Sequence, residues 1–175
     1  MNIQQICQPI RLILSDVDGI LTDGGVEFNN QGIETKRFHV RDGLGIKLWQ
    51  KAGHRFGLVT GRTSQIVKVR ATELGIDIVR QGVHQKLAAV EEIAKSLEIE
   101  LESICFIGDD FPDLPSIRAV GLSATVPEAP QEILDAADFI TTRPGGCGAV
   151  RELIETILKK QRRWDAVIQE WAAVS

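Results

Sequence analysis

The sequence comprises 175 residues, of which 43% are hydrophobic and 25% are charged, with a formal net charge of −4. This length suits one domain with a core that needs no disulfide staples, and the acidic balance argues against nucleic acid as the main partner. No apolar stretch approaches the roughly 20 residues of a membrane span, and the three cysteines, which form no CxxC pair, favour the reducing cytoplasm.

Strands and helices alternate along the chain. In chain order the patterns predict a strand at 11–16, a hairpin at about 25–38 with NNQG as its turn, a helix at 43–53, a strand at 55–60, a helix at 64–75, a strand at 76–80, a helix at 84–97, strands at 103–110 and 121–125, a helix at 128–136, a strand at 138–142 and a helix at about 149–172. This alternation predicts an α/β fold with a doubly wound, Rossmann-like parallel sheet and helices on both faces. We expect one domain over residues 1–175.

Acidic residues gather where two predicted strands end. They are Asp16, Asp18, Asp109, Asp110 and Asp113. The carboxyl ends of parallel strands meet at one edge of a sheet, so these carboxylates are expected in one crevice. Two unit charges about 4 Å apart repel by roughly 4 kcal/mol at an effective dielectric near 20. A hard divalent cation would relieve this repulsion, and all-oxygen ligation favours Mg²⁺. For Asp113, and for Asp23 in the loop after the first strand, helix capping or loop solvation is as good an interpretation as a place in the metal site.

Four motifs occur in order: DVDGILT at 16–22, TGR at 60–62, Lys86, and GDDFPD at 108–113. Together they resemble the signature of the haloacid dehalogenase superfamily of phosphatases. Further stretches between residues 11 and 153 resemble its capless branch that acts on phosphates of eight- or nine-carbon keto-sugar acids. Only about 38 residues separate the first two strands, which is too few for an inserted cap domain.

The resemblance implies a role for each motif residue. Asp16 would attack the phosphorus and form an aspartyl-phosphate, and Asp18 would protonate the leaving oxygen and then deprotonate water. The carboxylates of Asp16 and Asp109 and the backbone carbonyl of Asp18 would hold Mg²⁺. Thr60 and Lys86 would bind the phosphoryl oxygens.

Alternatives stand beside some of these roles. Thr60 could also be the N-cap of the helix at 64–75, and an isolated lysine such as Lys86 is usually solvated. Asp110 and Asp113 are interpreted as residues that orient Lys86, water or the metal.

The resemblance also implies a set of residues for the sugar-acid end of the site. They are His39, Val40, Arg41, Asp42, Gly43, Lys47, Gly61, Arg62 and Arg70, beside Asp18 and Lys86. Arginine suits a substrate that carries a carboxylate and a phosphate. Arg62 and Arg70 are eight residues apart and could share one helical face. Exposed helix positions for Lys47 and Arg70, and turn positions for His39 and Asp42, remain open.

Three readings of function follow. The first is an Mg²⁺-dependent phosphatase that frees an eight-carbon keto-sugar acid for lipopolysaccharide-type synthesis. The second applies the same chemistry to a nine-carbon acid, as a nonulosonate 9-phosphate phosphatase. The third is a non-catalytic oligomerisation module. The resemblance implies a homotetramer in which neighbouring subunits complete each pocket, and the apolar stripe of the C-terminal helix is consistent with association or with packing on its own subunit.

Overall fold

A six-stranded parallel sheet forms the centre of the computed structural model, which describes residues 3–173. The strands of the chain are β1 (Leu12–Ser15), β2 (Glu27–Phe28), β3 (Glu34–Thr35), β4 (Arg55–Val59), β5 (Ile78–Arg80), β6 (Ile104–Ile107), β7 (Leu122–Thr125) and β8 (Phe139–Ile140). The sheet order is β5-β4-β1-β6-β7-β8, whereas β2 and β3 pair antiparallel as a separate hairpin. The predicted parallel α/β architecture is confirmed.

Helices cover both faces of the sheet. They are α1 (Ile3–Cys7), α2 (Val40–Lys51), α3 (Gln65–Leu74), α4 (Lys86–Ser96), α5 (Leu114–Ala119), α6 (Gln131–Ala136), α7 (Ala149–Lys160) and α8 (Trp164–Ala173). The helices α1 and α5, which have five and six residues, were not predicted, whereas α6, also six residues long, was predicted over the longer range 128–136. Within residues 3–173, every helix is too short or too polar to cross a bilayer.

The C-terminal helix predicted at about 149–172 is wrong as a single element. It breaks after α7, where Arg162 takes a left-handed φ of 58°. The side chain of Gln161 donates hydrogen bonds of 2.8 Å to the carbonyls of Cys7 and Ile10, and the N–H of Arg163 donates to Leu158. A left-handed residue other than glycine is unfavourable by itself. The break therefore depends on contacts with the distant N-terminal segment, which the periodicity does not reveal.

The core has two layers, one on each face of the sheet. Along β1, Ile13 packs into the layer that contains residues of α2, α3 and α7, whereas Leu12 and Leu14 pack into the layer that contains residues of α4, α5 and α6. All three side chains are almost fully buried. β1 reads as a continuous apolar run because both of its faces are covered.

Along the chain, the hairpin of β2 and β3 comes between β1 and α2. Residues 25–38, which contain it, are called the flap from here on. Its turn is organised by Asn29, whose side-chain oxygen accepts hydrogen bonds from the N–H groups of Gln31 and Ile33. Gly32 supplies the positive φ of 75° that the turn requires. Several of its side chains remain exposed, and these include Phe28 and Ile33.

Candidate active site

The acidic crevice lies at the carboxyl edge of the central strands, as the sequence predicts for parallel strands. Asp16 follows β1 directly, and its N–H donates to the carbonyl of Ile107 at the end of β6. The crevice has a volume of about 400 Å³. The predicted site residues that line it are Asp16, Asp18, Thr60, Gly61, Arg62, Lys86, Asp109, Asp110 and Asp113.

Lys86 lies at the start of α4 with its side chain almost fully buried. Its Nζ lies 2.7 Å from Oδ2 of Asp16 and 2.5 Å from Oδ1 of Asp113. Burial acts to lower the pKa of Lys86, but the two carboxylates outweigh this effect and raise the pKa above its ordinary value. A buried ammonium is stable only when it is paired. The structure therefore holds a charged lysine directly beside the carboxylate predicted to be the nucleophile.

Asp113 is fully buried, and both of its oxygens have hydrogen-bond partners. Oδ1 accepts from Lys86, and Oδ2 accepts from the N–H groups of Asp109 and Asp110 at 3.1 and 3.3 Å. The side chain of Asp113 packs so close to the backbone at position 108 that this residue must be glycine, because a Cβ there would lie 2.3 Å from Cγ of Asp113. Asp113 thus holds both Lys86 and the backbone of the loop after β6 in place.

Asp109 differs from Asp113 because its buried Oδ1 has no hydrogen-bond partner among the described residues. Burial, together with the charges of Asp16 and Asp113, raises the pKa of Asp109 to about 7. Burial and Asp113 likewise raise the pKa of Asp16 to about 6, although Lys86 acts to lower it. These two neighbouring carboxylates share more negative charge than Lys86 neutralises.

A divalent cation fits this arrangement. Asp16, Asp109 and Asp113 each offer a carboxylate oxygen, and these oxygens lie within 4.8 Å of one another. Asp109 is the clearest ligand, because its buried Oδ1 has no hydrogen-bond partner among the described residues. Asp113 accepts hydrogen bonds at both oxygens, and Asp16 accepts from the N–H of Val17 at Oδ1 and faces Lys86 at Oδ2. Gly19 makes room for Asp109, since a Cβ at position 19 would lie 2.1 Å from Oδ2 of Asp109. Hard carboxylate oxygens suit Mg²⁺.

Thr60 follows β4 and is buried at the crevice wall. Its N–H donates to the carbonyl of Arg80, and its carbonyl accepts from the N–H of Val83. Helix α3 has Ser64 as its N-cap residue, so the alternative role of Thr60 as that cap is excluded.

The flap reaches the crevice, which the sequence did not predict. Nζ of Lys36 forms an ion pair with Oδ1 of Asp18. Glu34 accepts hydrogen bonds from the hydroxyl of Ser64 at 2.6 Å and from Nη2 of Arg62 at 3.0 Å. The Ser64 hydroxyl and Arg62 hold the pKa of Glu34 below its usual value. The stretch ETKR reads as a solvated charge run, so no local signal marks Lys36 or Glu34.

The residues predicted for the sugar-acid end divide into three groups. Gly61 and Arg62 line the crevice, whereas His39, Asp42, Gly43 and Arg70 line a separate small cavity of about 10 Å³. Val40, Arg41 and Lys47 are exposed on α2.

The position of Asp42 departs from the prediction that it binds substrate. Its side chain is buried, and its two oxygens accept hydrogen bonds from the N–H groups of Gly148 and Arg151 at 3.2 and 2.8 Å. It therefore caps the start of α7. Because Asp42 belongs to the first turn of helix α2, the alternative that it is a turn residue is wrong. Arg70 pairs with Glu73 at 2.8 Å instead of entering the crevice.

A doubly wound sheet with an acidic crevice at its carboxyl edge, a buried lysine and a fitting metal site is the architecture of a metal-assisted hydrolase. Comparisons with known proteins identify the family. The family model of haloacid dehalogenase-like hydrolases matches residues 64–153. The 3-deoxy-D-manno-octulosonate 8-phosphate phosphatase of Yersinia pestis is 41% identical over 152 residues, which are 87% of this chain and 81% of that protein.

Solved structures agree. The crystal structure of 3-deoxy-D-manno-octulosonate 8-phosphate phosphatase from Moraxella catarrhalis, in complex with magnesium ion, phosphate ion and a KDO molecule, superposes with a TM-score of 0.94 at 44% identity, covering 96% of this chain and 97% of that one. The cobalt-bound form of the deoxy-D-mannose-octulosonate 8-phosphate phosphatase from Haemophilus influenzae superposes with a TM-score of 0.89 at 38% identity. The match covers 91% of this chain and 94% of that one. The chain belongs to the haloacid dehalogenase-like hydrolases, which confirms the resemblance that the four motifs predicted.

Proposed function

We propose that this protein hydrolyses 3-deoxy-D-manno-octulosonate 8-phosphate to the free sugar acid and inorganic phosphate, as a step in lipopolysaccharide precursor synthesis. The observation that carries the proposal is the buried carboxylate of Asp16, paired with Lys86 at 2.7 Å and placed beside Asp109 in an open crevice. The names of the relatives support the choice of substrate. Three unpaired cysteines are consistent with action in the cytoplasm.

The first half of the reaction transfers the phosphoryl group to the protein. A carboxylate oxygen of Asp16 attacks the phosphorus, and an O–P bond forms as the bond between phosphorus and the sugar oxygen breaks. Asp18 donates its proton to that leaving oxygen. Thr60 and Lys86 bind the equatorial phosphoryl oxygens, where the negative charge is spread in the transition state.

The second half regenerates the protein. Asp18, now ionised, takes a proton from a water molecule, whose oxygen attacks the phosphorus of the aspartyl-phosphate. The bond between phosphorus and Asp16 breaks, phosphate leaves, and Asp16 returns as a carboxylate. Asp16 and Asp109, with the backbone carbonyl of Asp18, would hold Mg²⁺. When bound, the cation neutralises the repulsion between the anionic nucleophile and the anionic substrate.

Arg62 is the residue of the crevice best suited to the far end of the substrate. Its side chain is 44% exposed and can turn from Glu34 toward a bound ligand. A planar guanidinium binds a carboxylate through two hydrogen bonds. This pairing accounts for selection of a sugar acid over a neutral sugar phosphate.

Association into a homotetramer completes the proposal. The flap, which reaches the crevice at Asp18, exposes Val26, Phe28 and Ile33 to solvent by 49%, 58% and 61%. Apolar side chains clustered on so small an element favour burial against another copy of the chain. The cations on α2 and α3 that lie outside the crevice, Arg41, Lys47 and Arg70, would then serve the pocket of a neighbouring subunit.

Phosphate release provides the test. Purified protein is assayed with Mg²⁺ on 3-deoxy-D-manno-octulosonate 8-phosphate and, in parallel, on a nonulosonate 9-phosphate, with EDTA as the metal-free control. We expect turnover of the eight-carbon substrate, loss of turnover in EDTA, and a fall of roughly 10³-fold or more in Asp16→Asn at unchanged thermal stability. Preference for the nine-carbon acid would reassign the substrate. Failure to free phosphate from either would support the oligomerisation module.

A further inference from the structure

Lys36 is unusually buried for its place in the molecule. It directly follows β3 on the flap, where Phe28, Ile33 and Arg37 are largely exposed. The side chain of Lys36, by contrast, is 1% exposed. Lysine on a small hairpin normally keeps its ammonium in water, so a specific interaction must hold this one against the crevice.

The partners of Lys36 form a closed ring of charges. Nζ of Lys36 contacts Oδ1 of Asp18 and lies 3.4 Å from Oε1 of Glu34. The same Glu34 oxygen accepts from Nη2 of Arg62 at 3.0 Å, and Nε of Arg62 lies 3.6 Å from Oδ2 of Asp18. Two cations and two carboxylates therefore alternate, and the hydroxyl of Ser64 fastens Glu34 to the start of α3 at 2.6 Å.

This ring holds the flap in place. Strands of two residues form too few hydrogen bonds for an independent hairpin. A buried ammonium without a partner is strongly unfavourable, so the flap keeps its position as long as Lys36 keeps its carboxylates. The flap and the loop after β1 are thereby coupled through Lys36 and Asp18.

The ring also distinguishes the two oxygens of Asp18. Oδ1 is occupied by Lys36, whereas Oδ2 has no hydrogen-bond donor within reach among the described residues, since Nε of Arg62 stands 3.6 Å away. A carboxylate held at one oxygen has a defined direction for the other. Proton transfer requires such a direction, because the donor must lie within hydrogen-bond reach of the leaving oxygen.

We propose that Lys36 is a positioning residue that orients Asp18 for proton transfer through Oδ2 and couples this orientation to the position of the flap. The inference rests on the proposed phosphatase function. Lys36 acts through Asp18 and stays on the flap side of that carboxylate during turnover. Its removal should therefore slow the chemical steps more than it weakens substrate binding.

The test compares three variants in steady-state kinetics with Mg²⁺ and 3-deoxy-D-manno-octulosonate 8-phosphate. Lys36→Met keeps the length of the side chain and removes its charge, and Lys36→Arg restores a cation. Arg37→Met is the matched control, because it removes a positive charge from the adjacent flap residue, whose side chain is 80% exposed and pairs only with Asp23 among the described residues. Thermal midpoints are recorded for all of them.

We expect kcat of Lys36→Met to fall on the order of 10–100-fold while KM changes by less than about threefold. Lys36→Arg should recover part of kcat, and Arg37→Met should stay within about twofold of the wild type. A rise in KM at unchanged kcat would overturn the proposal in favour of direct substrate binding. Equal kinetics of Lys36→Met and Arg37→Met in an active wild-type background would overturn it outright. An inactive wild type would instead refute the phosphatase function itself.

Discussion

Asp113 and Lys86 form a fully buried ion pair with 2.5 Å between Oδ1 and Nζ. The same lysine reaches Asp16 at 2.7 Å, so a residue from the loop after β6 sets the position of a cation beside the nucleophile. Asp113 need not touch a substrate to influence the reaction.

Replacement of Asp113 by asparagine tests this relationship. The change removes one of the two negative charges that hold Lys86. It also disturbs the hydrogen bonds that the N–H groups of Asp109 and Asp110 donate to Asp113. We expect kcat to fall on the order of 10–100-fold. Asp110→Asn is the control, since its carboxylate is exposed and accepts from the N–H of Phe111. Kinetics of the two variants would be compared, and equal losses would contradict a special role for Asp113.

Magnesium affinity should depend on pH in a defined direction. Burial and neighbouring charge raise the pKa values of Asp109 and Asp16 to about 7 and about 6. Protons therefore compete with the metal for these oxygens, and the affinity falls as pH falls. Titration calorimetry at about pH 8 and about pH 6 should show at least a roughly tenfold weaker Kd at the lower pH. A Kd independent of pH would argue against Asp109 as a ligand.

Gly19→Ala should damage the metal site specifically. A Cβ there would lie 2.1 Å from Oδ2 of Asp109, and the φ of 86° adds backbone strain. Gly75→Ala is a matched control, because Gly75 has a φ of 70° and open space around the Cβ position. Both variants should lose about 1 kcal/mol of stability from the strain, whereas weaker Mg²⁺ binding is expected for Gly19→Ala alone. Calorimetry and denaturant unfolding separate the two effects.

Asp42→Ala should lower stability, since its carboxylate caps α7. Loss of such a cap typically reduces the free energy of unfolding by about 0.5–2 kcal/mol. Urea unfolding measures this change, and KM is determined beside it. A raised KM with unchanged stability would instead favour the substrate-binding role that the family resemblance implies for Asp42.

The flap should mediate association. Phe28→Glu and Ile33→Glu place charges on the exposed apolar side chains and should shift the protein toward smaller assemblies in light scattering. Ile140→Glu is the control, because Ile140 is 44% exposed on β8 at the far edge of the sheet. An unchanged mass for both flap variants would place any interface elsewhere.

The strands and the acidic crevice were predictable because both depend on local patterns. Apolar runs ended by acids, as at Ile107 before Asp109, identify strands whose loops must meet at one edge. The roles of Lys36 and Asp42 could not be predicted in this way, because they depend on tertiary contacts. The pair of Lys36 with Asp18 joins residues that are eighteen positions apart, and Asp42 caps a helix more than a hundred residues away. Neither contact has a signature in the surrounding sequence.

The central place of β1 has a consequence for how the molecule opens. Two strands lie on one side of β1 and three on the other, and the amide of Asp16 bonds to Ile107 within this interior. Hydrogen–deuterium exchange at that amide should therefore require global unfolding, whereas amides at the edge strands β5 and β8 exchange through local fraying. Transient opening at the periphery would leave the attacking group in its working geometry.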